Sequence, residues 1–379
     1  MIKILHVILS DAQNERRVFN QVRTALRNGY SAEVVGLKTP DVPAQEVVSG
    51  IPISRLTLRH WQGGPLKFIT FNAKLFRELL HRDFDILHAH DLWVLPGAIA
   101  AVKLRKKPIV YDAHEYYRGL EIFRRKKLSG FVWRVVELLT LRWVDAWIAI
   151  NTHQAELYQQ TFPFLTKPVV LMNLPELPDS GELPSVLSFS ERKKEVIFQG
   201  ILKPGRGLPR ALEAMRWVQE GKLRIIGDGE IAGQLRELIR LKGLKDRVEM
   251  VGTLPWHELI AESNRALAGL VLFQATNLNY RYASPNKFFE YVMAGTPVIA
   301  SDIPTFREFV QRYPVGVLVD PENPRDIAKA INRLLSNPKE WEFYHQQCLV
   351  ARREWNWQKQ ESRLLALYRS FSHMPEKQL

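Results

Sequence analysis

Short apolar runs alternate with segments of helical period along almost the whole chain, and they do so in two blocks. In the first, Ile2 to Leu9, Ala32 to Leu37, Ile53 to Leu58, Ile86 to Ala89, Ile109 to Asp112 and Ala146 to Ile150 read as strands. Helical stretches such as Val18 to Arg27 and Phe68 to Leu80 lie between them. Strands that are apolar throughout belong to a parallel sheet covered on both faces by the intervening helices. From Asn173 to Lys194 the periodicity stops in NLPELPDSGELPSVLSFSERKK, whose prolines and polar residues read as a linker. A second block then supplies Val196 to Phe198, Leu223 to Ile226, Val248 to Val251, Leu270 to Phe273, Pro297 to Ala300 and Gly316 to Val319 as strands, with helices such as Ile231 to Leu241. The predicted class is α/β: two doubly wound, Rossmann-like domains facing a cleft, over residues 1–172 and 195–340, with a linker at 173–194. Ligands of such sheets sit beyond the carboxyl ends of the strands, so the chemistry is to be sought there.

The length of 379 residues suits two domains, and 46% hydrophobic with 25% charged residues is ordinary for a globular chain. Cys348 is the only cysteine, which excludes an internal disulfide and a cysteine-based metal cluster and points to a reducing, cytoplasmic setting. The opening MIKILHVIL lacks a small-residue cleavage site and reads as a buried strand rather than a signal peptide. The most apolar candidate span, Leu128 to Ile150, contains Arg134, Glu137, Arg142 and Asp145, unlike a membrane-crossing helix. The net charge is +13, and residues 1–150, with 23 basic against 14 acidic side chains, hold +9 of it. Lys103 to Lys107 and Arg124 to Lys127 concentrate the excess, the latter just before Phe131, Trp133 and Trp143. Such a stretch suits an anionic membrane surface or an acidic ligand, or is simply a solvated helix face. No nucleic-acid-binding module accompanies the charge, so a nucleic-acid partner is not expected.

Several strand ends carry suggestive residues. VIFQGILKPGRG, Val196 to Gly207, is a strand followed by a turn with Gly200, Gly205 and Gly207 around Arg206. Glycines let backbone N–H groups approach an anion and an arginine adds bidentate phosphate recognition, although such a turn is commonly plain turn chemistry. It lacks the order of a Walker loop. Gly227, Asp228 and Gly229 end another strand, but with Gly233 the spacing misses the dinucleotide fingerprint by one residue. In ASPNKFFEYVMAGTPVIASD, Ser284 is predicted to cap a helix whose first residue is Pro285 and which Gly295 stops. Asn286 and Lys287 then fall in its first turn, where a lysine is unfavourable against the helix dipole unless an anion is bound. Glu290 lies one turn on, on roughly the same face. A diphosphate on the helix end and Lys287, with a ribose on Glu290, accounts for these choices. A capped helix with a surface Lys–Glu pair is the plainer alternative. In the first block, His88, His90 and Asp91 end one strand and Asp112, His114 and Glu115 end the next. His88 and His90 with His114 raise an H-x-H metal site, but no further ligand is apparent and no metal is expected.

With these residues in view the chain resembles the retaining family-4 (group 1) glycosyltransferases of the GT-B fold. The resemblance rests on IVYDAHE, VIFQGILKPGRGL, LRIIGDGE, DRVEMVGTLP and SPNKFFEYVMAGTPVIASDIPTFRE, and it runs nearly end to end. The segment 341–379, with Trp355 and Trp357, resembles the helix that in this fold crosses back to the N-terminal domain. The resemblance implies a nucleotide-sugar donor on the C-terminal domain, no further cofactor, and a glycan or lipid-linked acceptor on the N-terminal one. Arg206 and Lys287 match the residues on the diphosphate, with Gly200, Gly227, Ser284 and Asn286 around them. Glu290 matches the glutamate on ribose and Leu254 the stretch along the base. His114 matches a histidine close to the donor sugar, and His90, Asp91 and Glu115 fall on the acceptor side.

The chain departs from the family pattern in three places. Tyr282 stands where a glutamate eight residues before Glu290 is expected, Ile201 replaces the arginine that often follows Gly200, and SDAQNERR replaces a glycine-rich loop after the first strand. Tyr282 bears on donor-sugar recognition, while Arg206 and Lys287 still leave two cations for the leaving group. The expectation is a cytoplasmic or peripherally membrane-associated sugar transferase. A sugar-nucleotide epimerase or hydrolase and a non-catalytic sugar-nucleotide-binding protein are the rivals.

Overall fold

The structure is a computed structural model and describes the chain apart from residues 14, 59–63, 121–126, 179–180 and 373–379. The chain forms two units, one of residues 1–172 with 360–379 and the other of residues 173–359. The first unit contains β1 (Lys3–Val7), α1 (Arg16–Arg27), β2 (Ser31–Leu37), β3 (Gln45–Val48), β4 (Ile51–Leu56), α2 (Pro65–His81) and β5 (Ile86–His90). It continues through α3 (Leu95–Arg105), β6 (Ile109–Ala113), α4 (Lys127–Leu141), β7 (Ala146–Ala149), α5 (Thr152–Thr161) and β8 (Val169–Val170). The sheet order is β3-β4-β2-β1-β5-β6-β7-β8, reversing direction of growth at β1/β5. All its pairings are parallel except β3 with β4. β5 and β6 are buried at every position, His88, His90 and Asp112 included, because helices cover both faces of the sheet.

The second unit contains β9 (Lys193–Gln199), α6 (Leu208–Ala214), β10 (Lys222–Ile226), α7 (Ala232–Leu241), β11 (Val248–Gly252), α8 (Leu259–Arg265), β12 (Ala266–Val271) and α9 (Leu278–Arg281). It closes with α10 (Asn286–Met293), β13 (Val298–Ser301), α11 (Pro304–Arg312), β14 (Gly316–Val319), α12 (Pro324–Ser336) and α13 (Pro338–Ala351). Its sheet, β11-β10-β9-β12-β13-β14, is parallel throughout and has its own core, with Val196, Phe198, Leu223, Ile225 and Leu270 buried between helices.

Two boundaries differ from expectation. The return to the first unit begins at Gln360, not at Trp341: Trp341 is fully buried and donates its indole N–H to Leu267 O at 2.7 Å, which holds α13 on the second unit. Only α14 (Glu361–Ser372) joins the first unit, where Thr24 Oγ1 donates to Glu361 at 2.9 Å. Residues from Asn173 belong to the second unit, because the backbone of Pro175 and Leu177 bonds to the Trp357–Gln358 turn. Among the described residues no helix is long and apolar enough to cross a membrane.

Candidate active site

In the second unit the C-terminal ends of β9, β10 and β11 lie level, since Gly200 N bonds Ile226 O and Gly227 N bonds Gly252 O. The turn after β9 enters α6 through Gly207, in the left-handed region at φ 67°, where a Cβ would strike Leu272. That geometry needs glycine and fixes the direction of the preceding Arg206. The Arg206 guanidinium stacks 4.7 Å from the Phe273 ring centroid and 5.8 Å from that of Tyr280, and its Nε has no hydrogen-bond partner.

α10 begins at Asn286 with Pro285 as the capping residue, one position later than expected. Ser284 is therefore not the cap, and its buried hydroxyl is left without a hydrogen bond. Asn286 is exposed, while Lys287 is 5% exposed, so the alternative of a surface lysine fails. Lys287 Nζ sits 3.5 Å above the centre of the Phe198 ring and has no hydrogen-bond partner. Burial pushes its pKa well below the ordinary lysine value, and Arg206 pushes the same way while Glu290 opposes both. Glu290 is buried too and accepts from the Gln199 amide, whose oxygen in turn accepts from Ser263 Oγ at 2.9 Å. Gln199 and Ser263 were not singled out from the sequence. A glutamine ending a strand one residue before Gly200 was the available signal. Tyr282, half-buried just after α9, lies 5.9 Å from the Arg281 guanidinium, and Leu254 is half-buried two residues past Gly252. Lys287 and Ser284 at the start of α10, and Arg206 just before α6, each keep a nitrogen or hydroxyl without a hydrogen-bond partner, which are the kinds of group an anion would satisfy.

The first unit brings together His88, His90, Asp112 and His114 and adds His6, which the sequence reading missed. Strand register sets His6 beside His88 and His90 beside Asp112. His6, His88 and His90 are fully buried, with the rings of His88 and His90 parallel at 4.6 Å. Burial of His90 corrects the expectation that it faces an acceptor, and Glu115 instead is exposed. Asp112 is clamped by Arg17, with Nε at 2.9 Å and a terminal nitrogen at 2.7 Å, and by Gln21 at 2.6 Å. Burial alone would raise the Asp112 pKa, but Arg17, His114 and His88 hold it well below the carboxylate range. His114 pairs with His90 at 3.2 Å, and its Nδ1 lies 3.6 Å from Asp91. Burial would lower His114, yet Asp91 and Asp112 outweigh it and push it up to about 9. Burial and the neighbouring His88 push His90 down to about 3 against Asp112. An imidazolium at His114 donates to His90 Nδ1, so His90 carries its proton on Nε2 and donates to His6 Nδ1, 2.9 Å away. His88 Nδ1 pairs with Tyr368 of α14 at 2.8 Å. The rings of His6, His88 and His90 are stacked and those of His90 and His114 meet edge to face, with hydrogen bonds linking His114 to His90 and His90 to His6. The donor atoms of His6, His88 and His90, and of His90, Asp112 and His114, lie within 4.8 Å of one another, so either trio could hold a metal ion, and the structure supplies the further ligands, His6 and Asp112, that the sequence did not show.

Two family descriptions fit this arrangement. Residues 15–173 match the model of glycosyltransferase family 4, and residues 179–347 match that of the group 1 glycosyl transferases. The chain belongs to the family-4, group 1 glycosyltransferases. The phosphatidyl-myo-inositol mannosyltransferase of Mycobacterium leprae is 24% identical over 90% of this glycosyltransferase and 88% of the relative. An uncharacterised glycosyltransferase of Methanocaldococcus jannaschii is 26% identical over 84% and 83%. Among solved structures, Anabaena HepE in complex with UDP-glucose superposes with a TM-score of 0.75 at 17% identity, covering 98% of this chain and 100% of HepE. Sucrose-phosphate synthase from Thermosynechococcus elongatus gives 0.74 at 17% identity over 98% and 99%. These likenesses establish the fold as GT-B.

Proposed function

We propose that this glycosyltransferase moves a sugar from a nucleotide-sugar donor to a glycan or lipid-linked acceptor with retention of configuration, in cell-surface polysaccharide or glycolipid synthesis, peripherally on the cytoplasmic membrane face. The observation that carries the reading is Lys287: a buried lysine nitrogen at the start of α10 without a hydrogen-bond partner, with Arg206 close enough to repel its charge, has its charged form satisfied by a diphosphate. Relatives named for phosphatidyl-myo-inositol mannosyl transfer, and HepE with UDP-glucose, support the donor and acceptor classes.

In this reading the anomeric carbon–oxygen bond to the diphosphate breaks toward an oxocarbenium-like state. The acceptor hydroxyl attacks from the face of the departing diphosphate, whose phosphate oxygen takes the acceptor proton. Arg206, Lys287 and the α10 terminus stabilise the charge that develops, so no metal is called for and no protein nucleophile is needed. Glu290 accepts hydrogen bonds from ribose through its carboxylate.

A panel of nucleotide sugars screened for thermal stabilisation tests donor binding, followed by product analysis with and without acceptors. Arg206→Ala or Lys287→Ala should lower kcat by roughly 10²-fold. Glu290→Gln should mainly raise the donor KM. Donor consumed without acceptor would move the assignment to an epimerase or hydrolase. Tyr282 in place of the expected glutamate motivates one rival, a protein that binds the donor and does not turn it over. Folded cation variants with unchanged kcat and intact donor binding would sink the assigned site.

A further inference from the structure

Helix α4 is apolar on two sides, and only one of them is covered. Its inward side includes Gly130, Glu137 and Leu141, all buried, and Trp133, which packs 4.6 Å from Trp93 and 5.2 Å from Phe68. Its outward side presents Leu128, Phe131, Val132, Val135, Leu138 and Leu139, whose exposures run from 37% to 79%. Their spacing of three and four residues makes one continuous row. A helix that is apolar all round belongs inside protein or lipid, and monomers rarely leave so large a contiguous patch in water. Leu66 and Ile69, 57% and 64% exposed, lie on the neighbouring α2 on either side of Phe68, which touches Trp133.

The charges around this row select its occupant. The only acid in α4, Glu137, is turned inward and held by Arg118 Nε at 2.9 Å. The exposed charges on the helix, Lys127 and Arg134, are both cationic, and exposed Arg142 follows directly after it. A second copy of the chain would oppose like charges across the row. An anionic bilayer surface complements the cations and accepts the apolar side chains. We propose that α4 is a lipid-docking helix that lies in the plane of an anionic membrane, with the Phe131 row among the acyl chains and Lys127 and Arg134 at the phosphates. This deepens the membrane-proximal part of the proposed function and stands apart from the donor chemistry. It also moves the contact: of the basic run 124–127 expected to supply it, residues 124–126 lie outside the described residues, and the apolar row of α4 supplies the adhesion instead.

Flotation of the full chain with zwitterionic vesicles, and with vesicles containing phosphatidylglycerol, tests the proposal. The wild type should float with the anionic vesicles and keep a substantial bound fraction at about 1 M salt, where charges are screened within about 3 Å. The double variant Phe131→Ser, Val135→Ser removes exposed side chains and so spares the core. Its partitioning should weaken by about 100-fold, on the scale of two apolar side chains no longer leaving water. Stabilisation by a nucleoside diphosphate should be the same in both proteins. A wild type that stays unbound, a double variant that floats equally well, or binding abolished by salt overturns the inserted helix. A wild-type dimer that the double variant dissolves would assign the row to a second copy and overturn it as well. If neither protein responds to nucleoside diphosphate while flotation behaves as stated, the donor site fails and the docking helix stands.

Discussion

Lys287 costs the folded protein stability whenever no anion is bound, because its charge is desolvated and the nearby Arg206 repels it. A depressed folded pKa means that, below the ordinary lysine value of about 10.4, the unfolded chain binds the proton more readily than the native state. Stability should therefore rise with pH between the depressed value and about 10.4. Lys287→Met keeps the volume and removes both the charge and this slope. It should raise stability at neutral pH by about 1–2 kcal/mol in urea melts, while weakening nucleoside diphosphate binding. His114 is linked in the opposite sense. Its folded pKa of about 9 lies above the ordinary value, so its contribution is complete below about 6.5 and is lost as pH rises through about 9. The stability gap between wild type and His114→Gln should be largest near pH 6 and close by about pH 10. A gap independent of pH would show that His114 is not an imidazolium. Asp91 supports that charge from a backbone position at φ 70°, rare outside glycine, which is a strained placement kept for its carboxylate.

The elements that aim these residues can be tested by one glycine. Gly207→Ala meets both a left-handed φ of 67° and the Leu272 side chain, so it should cost at least 1–2 kcal/mol. The urea midpoint should fall, and donor affinity should fall with it because Arg206 precedes the altered residue. Most such elements were legible in the sequence because central parallel strands are continuous apolar runs: β14 begins and ends as read, and β1, β2, β5 and β6 differ only at their ends. β3 was not, because QEVV is short, half polar and antiparallel at the sheet edge, and β8 has two residues. β12 runs through ALAGLV, whose small residues hid its first half and shifted the expected strand toward Phe273. At the site, Arg206, Lys287 and Glu290 were visible through turn chemistry, dipole logic and family resemblance. Their burial was not, since it comes from the sheet beneath them. His6 hid inside an apolar run, and only the adjacency of β1 and β5 reveals its partner His88. Tyr368, on a helix distant in sequence, could not be paired with His88 from periodicity at all. Tyr368→Phe should cost about 1 kcal/mol, as a single buried hydrogen bond does, and chemical denaturation will read it.

On the scale of the whole molecule, the ionisable machinery is divided between two separately cored units. The cations and Glu290 belong to residues 173–359, whereas the histidine chain, Asp91 and Asp112 belong to residues 1–172 with 360–379. The chain passes from one unit to the other twice, after Met172 and after Lys359. Each unit has its own hydrophobic core, so each can melt as its own cooperative block. A nucleoside diphosphate that binds Arg206 and Lys287 stabilises only the block that contains them. At about 100 times its Kd it should add about 2.7 kcal/mol to that unit. Calorimetry should accordingly resolve two transitions, of which the ligand moves one and leaves the other in place. The moved transition is identified with Lys287→Met, which should reduce the ligand shift, and with Tyr368→Phe, which should lower the other transition alone. Equal shifts of both transitions on adding the nucleotide, or a single transition lowered by either variant, would mean that the two units unfold as one, and the separation argued from their cores would be wrong.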